Sequence, residues 1–197
     1  ASRAYLAASE LAVTPVAAAS ALVGRAISLQ VMTEWQQVLT TVDRIREIDQ
    51  KIGFAREGRE LSIMALEANQ YTLGIVTGIG TLLEMATDLS LSPEQRLHAA
   101  LVGIGVADNT HDTETLRNFD KAASAVPPLP GDEIPRLRIR MIYEGSVGSL
   151  RAAVACADDL IERVRVQPSK ATLISTLRSA SFAFRRNGDY ARARDLL

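Results

Sequence analysis

Apolar residues recur at intervals of three and four along most of the chain, which is the spacing of one face of an α-helix. The segment after Asp112 shows this spacing at Leu116, Phe119, Ala123 and Val126. Alternation with a period of two, which would indicate a strand, is weak throughout. The pattern therefore predicts an all-α protein.

Two apolar runs that contain glycine, 74–80 and 101–107, have a strand-like composition. Their contexts favour helices, because a helical pattern continues the first run and a helix start precedes the second. A glycine inside a helix costs about 0.5–1 kcal/mol relative to alanine. We therefore predict that these glycines let neighbouring helices approach closely.

Residues that cap helix N-termini mark three helix starts. Thr14 and Ser92 each precede a proline, which is favoured at the first helical position. Gln95 lies three residues after Ser92 and completes a capping box, and Asp112 is the third cap. The proline-rich segment 127–133 predicts a break between helices.

The longest helix that the pattern predicts covers residues 26–53. Its apolar positions step by 4, 3, 4, 3 and 7 residues, close to a heptad seam. These positions are Val31, Trp35, Val38, Val42, Ile45 and Ile52. We favour packing of this helix along its neighbours in the same chain, and the alternative is a homodimer through helix 26–53. We assign residues 1–56 to an N-terminal helical segment that contains this long helix.

Predicted turns and breakers alternate from residue 57 to the end of the chain. The turns fall 40 residues apart, at 68–69, 108–109, 148–149 and 188–189. The breakers between them are Ser92-Pro93, Pro127 to Pro130, and Pro168. One helix pair cannot bury both of its apolar faces, whereas stacked pairs can. This predicts helical repeats over residues 57–197.

The last segment, 177–197, resembles a tetratricopeptide repeat. The matching residues are Leu177, Ala180, Ser181 and Phe184 in a first helix, then Gly188, Tyr190, Ala193 and Leu197 in the turn and second helix. The resemblance implies a right-handed superhelix of stacked antiparallel helix pairs, a solenoid whose last repeat is truncated and continues beyond this chain. Arg140 and Glu144 depart from the pattern, because they occupy positions that should be apolar.

Longer repeats of this sort are similar to the helical-repeat regions of large bacterial regulators of the MalT/LuxR type and to sensor segments of bacterial signalling enzymes. That resemblance implies a non-enzymatic module for signal transduction or transcription regulation. The module would bind a protein or peptide through its concave face, and we expect a cytoplasmic location.

Composition indicates which residue types form the core, and the charges are distributed unevenly along the chain. Hydrophobic residues make up 47% of the 197 residues and aromatic residues only 5%, so the core must consist mainly of Ala, Leu, Ile and Val. Residues 1–133 carry 10 Lys and Arg against 17 Asp and Glu, whereas residues 134–197 carry 12 against 6. The basic last third predicts an acidic partner.

Under the resemblance, the first helix of each pair lines the concave face. The predicted partner-binding residues in the last repeat are Ser175, Arg178, Phe182, Arg185 and Arg186. Arg138 and His98 hold the equivalent positions in the two preceding repeats. Arginine binds carboxylates with two parallel hydrogen bonds, so an acidic peptide is the predicted ligand. The alternative is that these arginines are a solvated face or contact the acidic first part of a second chain.

The sequence lacks the common signatures of catalysis. It has no phosphate-binding loop and no nucleophile motif, and the two histidines, His98 and His111, stand apart from clustered carboxylates and cysteines. The single cysteine, Cys156, has no basic neighbour in the sequence and is predicted to be a small buried apolar residue. We expect no catalytic residue, no metal and no cofactor.

Two other classes of partner remain as alternatives. A small-molecule effector would bind among the glycine-containing helices at 74–83 and 101–107, as in a sensor domain of a transcriptional regulator or cyclase. Nucleic-acid binding through the basic last third is the weakest alternative, because the sequence pI is near 6.2 and no recognised motif is present. Apolar stretches of thirteen residues are too short to span a membrane.

Overall fold

The computed structural model describes residues 1–52, 58–73, 78–165 and 170–196. It leaves out the side chains of residues 31, 58–60, 62, 70, 71, 73, 170–172, 174 and 175. Every regular element in the described ranges is an α-helix, which confirms the predicted all-α class. In chain order the helices are α1 (Ser2–Glu10), α2 (Pro15–Val31), α3 (Trp35–Ile52), α4 (Gly58–Leu73), α5 (Ile79–Thr87), α6 (Pro93–Thr110), α7 (Thr113–Ser124), α8 (Glu133–Ser146), α9 (Leu150–Arg165), α10 (Lys170–Arg186) and α11 (Tyr190–Asp195).

The helices form two compact units, Ala1–Thr77 and Gly78–Leu197. In the first unit each helix packs on the next one in the chain, from α1 to α4. The division differs from the predicted one, because α4 packs on α3 and supplies Leu61, Met64, Ala65 and Ala68 to the core of the first unit. The turn predicted at 68–69 is wrong for the same reason, since both residues lie inside α4.

The predicted continuous helix 26–53 is also wrong, because a tight turn separates α2 from α3. Thr33 adopts a left-handed backbone conformation with φ of 59°. The amide of Glu34 donates to the carbonyl of Leu29 at 3.0 Å, and the amide of Thr33 donates to that of Gln30 at 3.0 Å. Together these two bonds end α2 in an arrangement that usually has glycine at the left-handed position, which Thr33 occupies here. No glycine or proline marks the site, so the sequence pattern runs through it.

The predicted heptad seam is buried inside the first unit. Val38, Val42 and Ile45 on α3 belong to the same core as Leu22 and Leu29 on α2. A seam that is covered by α2 and α4 cannot also pair with a second copy. The structure therefore agrees with the favoured interpretation, in which the helix packs along its neighbours, and not with the alternative of a homodimer through this seam.

The second unit contains three helix pairs, α6–α7, α8–α9 and α10–α11. Within each pair the helices contact each other, and the second helix of a pair contacts the first helix of the next pair. In addition, α8 contacts both α6 and α10, and α5 packs against α6 and α7. We call α6, α8 and α10 the first helices, because each opens a pair.

The predicted helix starts are confirmed. The hydroxyl of Ser92 accepts the amide of Gln95 at 3.3 Å, and the Gln95 side chain accepts the amide of Ser92 at 3.1 Å, which completes the capping box. Asp112 accepts the amide of Thr115 at 3.1 Å, and Thr14 caps α2. The helix after Asp112 buries its predicted apolar face.

Two of the predicted turns are also confirmed, between α8 and α9 and between α10 and α11. The turn predicted at 108–109 lies farther along, because α6 continues to Thr110 and closes at His111 with φ of 56°. The proline-rich linker separates α7 from α8 as predicted, whereas Pro168 lies outside the described residues.

Two arginines 40 residues apart bind the end of the preceding helix. Arg96 on α6 is buried and donates from Nε to the carbonyl of Ala86 at the end of α5, at 3.3 Å. Arg136 on α8 donates to the carbonyls of Ala123 at 3.0 Å and Val126 at 2.9 Å, at the end of α7. The carbonyls at a helix end lack the usual intrahelical donor. The arginines donate to Ala86 and Val126, and the carbonyl of Ala123, which also accepts the amide of Val126 at 3.2 Å, gains a second donor.

The predicted close approach of a neighbouring helix to a glycine is confirmed at one position in α6 and is not seen at another. A Cβ atom on Gly103 would lie 2.2 Å from Cζ of Phe119 on α7, so the ring occupies the space that a side chain would need. A Cβ atom on Gly105 or on Gly80 would have nothing within 4 Å. Residues 74–77 of the first glycine-containing run lie outside the description, while 101–107 are helical as predicted.

Across the described ranges, the helices are each too short or too polar to cross a membrane.

Candidate partner-binding face

The C-terminal ends of the three first helices are joined by one polar cluster. Arg186 on α10 makes two parallel hydrogen bonds to Asp108 on α6, from Nη1 to Oδ1 at 3.0 Å and from Nη2 to Oδ2 at 3.1 Å. Its Nη1 also donates to Oγ of Ser146 on α8 at 2.5 Å, and Ser146 donates to Asp108. Ser146 and Arg186 are 40 residues apart, so equivalent positions of neighbouring first helices touch.

Arg186 was predicted to bind a partner, and the structure shows it bound within the chain. Its guanidinium is held by a carboxylate and a hydroxyl of the same chain, and paired fork geometry of this kind is among the stronger charged contacts. Arg186 thus ties α10 to α6 and α8, and its part in partner binding remains a prediction.

His98 and Arg138 lie near each other in the middle of α6 and α8, and both are half-buried. Burial, and next the charge of Arg138, lower the pKa of His98 below its usual value. His98 is therefore neutral at pH 7, and the positive charge of this pair belongs to Arg138. These two residues are 40 positions apart, which places them in the same register as the contact between Ser146 and Arg186.

Arg178, Phe182 and Arg185 share the exposed side of α10. The phenyl ring of Phe182 is 57% exposed, which is unusual for a large apolar side chain. The guanidinium of Arg185 lies over that ring at 5.7 Å from its centre. Arg178 is exposed one turn earlier. The side chain of Ser175, the remaining predicted residue on α10, is outside the description.

These positions define the candidate site, which we call the first-helix face. It consists of His98 on α6, Arg138 and Ile142 on α8, and Arg178, Phe182 and Arg185 on α10. Within it, His98 lies near Arg138, and Arg185 lies over the ring of Phe182. That these residues form one binding site remains a prediction. It combines fixed positive charge with an exposed aromatic ring.

Arg140 and Glu144, the two departures from the repeat pattern, form an ion-pair brace in which Glu144 is buried and Arg140 is exposed. Arg140 pairs with Glu144 at 2.5 Å and with Asp120 on α7 at 3.6 Å. The other oxygen of Glu144 accepts the amide of Ser149 at 2.8 Å, ahead of the first turn of α9. Burial raises the pKa of Asp120, and Arg140 partly opposes that effect. The spacing of four residues between opposite charges in α8 was the available signal.

Cys156 on α9 lies near this brace, and its thiol is half-buried. Burial raises the pKa of Cys156, so the reactive thiolate is disfavoured at neutral pH. Elsewhere in the described ranges, no group of three or more His, Cys, Asp or Glu side chains could hold a metal ion.

A separate cleft of about 570 Å³ lies among α9, α10 and α11. Arg192 on α11 lies over the ring of Phe184 at 4.0 Å and pairs with Asp158 on α9. The cleft is therefore bridged by a contact within the chain, and it involves none of the predicted site residues. The space predicted for a small-molecule effector is filled at Gly103 by the Phe119 ring.

Comparison of the chain with protein-family models, with curated proteins and with solved structures found no match. The tetratricopeptide resemblance therefore rests on the residues of the last repeat, and it remains a prediction.

Proposed function

We propose that residues 78–197 are a non-enzymatic interaction module of a bacterial regulatory or signalling protein, which binds a segment of a partner protein through the first-helix face. In this proposal the three helix pairs are the stacked units of a right-handed, tetratricopeptide-like superhelix. Two regularities support the stacking, namely the equivalent arginines Arg96 and Arg136 and the contact between Ser146 and Arg186.

The observation that carries the proposal is the exposed ring of Phe182 between two arginines. Single exposed apolar residues are common on protein surfaces. An aromatic ring flanked by arginine is different, because aromatic residues and arginine are enriched at interfaces and supply much of their binding energy. Helix α10 also carries four basic residues and no acidic one. A partner segment that covers this surface would bury the ring and neutralise charge.

Selection from a random peptide display library on the immobilised chain tests the proposal. The matched negative selector is the triple variant R178A/F182A/R185A, whose changes remove exposed side chains and should leave the free energy of unfolding within about 0.5 kcal/mol per charge removed. We expect peptides that bind the natural chain and not the variant. Fluorescence anisotropy with a selected peptide should give weaker binding at high salt, because salt screens exposed charges.

Arg151 provides the control for nonspecific charge effects. It is exposed on α9, a second helix, and lies outside the first-helix face. The variant R151A should bind the selected peptides as the natural chain does. Recovery of peptides that bind the triple variant equally well would place the binding surface elsewhere and overturn the proposal.

A further inference from the structure

An exposed leucine of the second unit lies between acidic residues. Leu89 lies in the turn between α5 and α6 and is 81% exposed. The last turn of α5 carries Glu84 and the first turn of α6 carries Glu94, and both are exposed. Arg96 joins the first turn of α6 to the carbonyl of Ala86, so both acids lie at the end of the helix pair that carries the turn. We call Glu84, Leu89 and Glu94 the acidic turn.

An exposed phenylalanine of the same unit lies between arginines. The guanidinium of Arg185 lies over the ring of Phe182, and Arg178, four residues earlier, is on the same side of α10. All three side chains are exposed. Within the described ranges, the ion pairs of the second unit involve neither these two arginines nor the two glutamates of the acidic turn. We call Arg178, Phe182 and Arg185 the Phe182 patch.

The difference in charge extends beyond these six residues. Residues 78–133 carry 3 Lys and Arg against 9 Asp and Glu, whereas residues 134–197 carry 12 against 6. Helix α5 packs on α6 and α7, whereas α10 packs on α8, α9 and α11. The acidic turn and the Phe182 patch therefore belong to opposite ends of the order in which the helices pack. Each surface presents an exposed apolar side chain with charge of the sign that the other lacks.

We propose that the Phe182 patch binds the acidic turn of a second copy of this chain. Leu89 of one copy packs on the ring of Phe182 of the next, and the two glutamates pair with the two arginines. The contact is head-to-tail, because the two copies use different surfaces, so each bound copy keeps one surface for a further copy. This inference rests on the proposed function, since it names a partner for the first-helix face.

Sedimentation velocity of the full chain over a range of concentrations tests the proposal. A small contact is weak, so we expect the average mass to rise only at high protein concentration. The association should decrease at high salt, because salt screens exposed charges. Leu89→Ser and Phe182→Ser should each weaken it about ten-fold or more, since each removes a large apolar side chain from the contact. Circular dichroism checks that both variants fold.

The chain offers a closely matched control for Leu89→Ser. Leu11 is also a leucine and is 82% exposed, but it lies in the first unit. Leu11→Ser removes the same amount of exposed apolar side chain and should associate as the natural chain does. R151A, which removes an exposed arginine outside the Phe182 patch, should also have no effect.

Mixing the two variants tests whether the contact is head-to-tail. Leu89→Ser keeps the Phe182 patch, and Phe182→Ser keeps the acidic turn. An equal mixture should therefore form a dimer with one copy of each variant and no larger species, although each variant alone is monomeric at the same concentration. A contact of the Phe182 patch with itself predicts the opposite, namely that Leu89→Ser associates as the natural chain does and that mixing adds nothing.

The outcomes separate this inference from the function on which it rests. A natural chain that stays monomeric at high concentration and low salt overturns the self-association, and peptides from the library selection that bind the Phe182 patch would leave the proposed function standing. Unchanged association of Leu89→Ser also overturns this inference. If self-association and the library selection both fail, both proposals are overturned. Leu89→Ser should still bind the selected peptides, whereas Phe182→Ser should lose them together with the second copy.

Discussion

Each unit of the molecule places a helix glycine beneath an aromatic ring of a neighbouring helix, and the two contacts differ in burial. In the first unit, a Cβ atom on Gly24 would lie 2.6 Å from Cε1 of Tyr5, whose side chain is 41% exposed. In the second unit, the ring against Gly103 is that of Phe119, which is fully buried. The Tyr5 ring can move into solvent, whereas the Phe119 ring is held on all sides. Sequence spacing alone does not distinguish these contacts. The burial of the ring determines how much each glycine contributes to the free energy of unfolding.

The units also differ in what lies at the ends of their helices. The turn between α1 and α2 exposes Leu11 and Val13 almost completely. In the second unit, Arg96 and Arg136 bond the carbonyls at the ends of the helices that precede them. Long charged side chains thus bond the ends of α5 and α7 in the second unit. Four measurements test how far this contrast between the units extends.

Truncation of the two rings should give the largest contrast. We expect Phe119→Ala to lower the free energy of unfolding by about 3–5 kcal/mol, because it opens a cavity in a packed core. Tyr5→Ala should cost less than about 1.5 kcal/mol, since much of its ring is already in water. Urea denaturation followed by circular dichroism measures both values. Equal losses would mean that the flank of α1 is as closely packed as the core of the second unit.

Adding a methyl group beneath each ring should give a smaller contrast. Gly103→Ala must displace a buried ring, at a cost of about 1–3 kcal/mol. Gly24→Ala requires only that Tyr5 rotate outward, and alanine regains about 0.5–1 kcal/mol of helix propensity. We expect the first variant to be destabilised and the second to be near neutral in the same denaturation experiment. A near-neutral Gly103→Ala would show that α7 can shift away from α6.

Acidification should weaken the second unit more than the first. The folded-state pKa of His98 lies below its unfolded value, so its contribution to stability is present above about pH 6.5 and is lost as the pH falls. Residues 1–77 contain no histidine. The melting temperature should therefore fall less between pH 7.5 and pH 5.5 for His98→Gln than for the natural chain. Fluorescence of Trp35, the single tryptophan, reports on the first unit in the same samples. Identical pH dependence with and without His98 would contradict this assignment.

The smallest expected effect is an increase in stability. Gly105 lies two residues after Gly103 on α6, and a Cβ atom there would meet nothing within 4 Å. Gly105→Ala should raise the free energy of unfolding by about 0.5–1 kcal/mol, through helix propensity alone. Comparing it with Gly103→Ala in one helix isolates the effect of the Phe119 ring. A destabilised Gly105→Ala would indicate a neighbour that packs on this side of α6.

Local chemistry explains which parts of the fold were predictable from the sequence. Thr14, Ser92 and Asp112 act on amides within three residues, so their sequence context contains the whole interaction. The end of α2 was missed because Thr33 takes the left-handed conformation without glycine. The apolar period continues across that turn, and only the packing of α3 on α2 and α4 determines where the helix must stop.

The candidate site was predictable in its composition and not in its partners. The period of 40 residues aligned His98, Arg138 and Arg178, and the exposure of Phe182 agrees with its predicted position. The same period could not show that Arg186, unlike Arg185, binds Asp108. Asp108 lies 78 residues away from Arg186 in the sequence. Long arginine side chains reach several neighbours, and the tertiary fold selects among them.

The bond between Arg186 and Asp108 also bears on how the second unit comes apart. In an array where each pair contacts only its neighbours, terminal pairs can fray while the rest stays folded. This bond skips the middle pair and joins α10 directly to α6, so release of the last pair must break a contact with the first. Such second-neighbour coupling favours cooperative, all-or-none unfolding over stepwise peeling from one end.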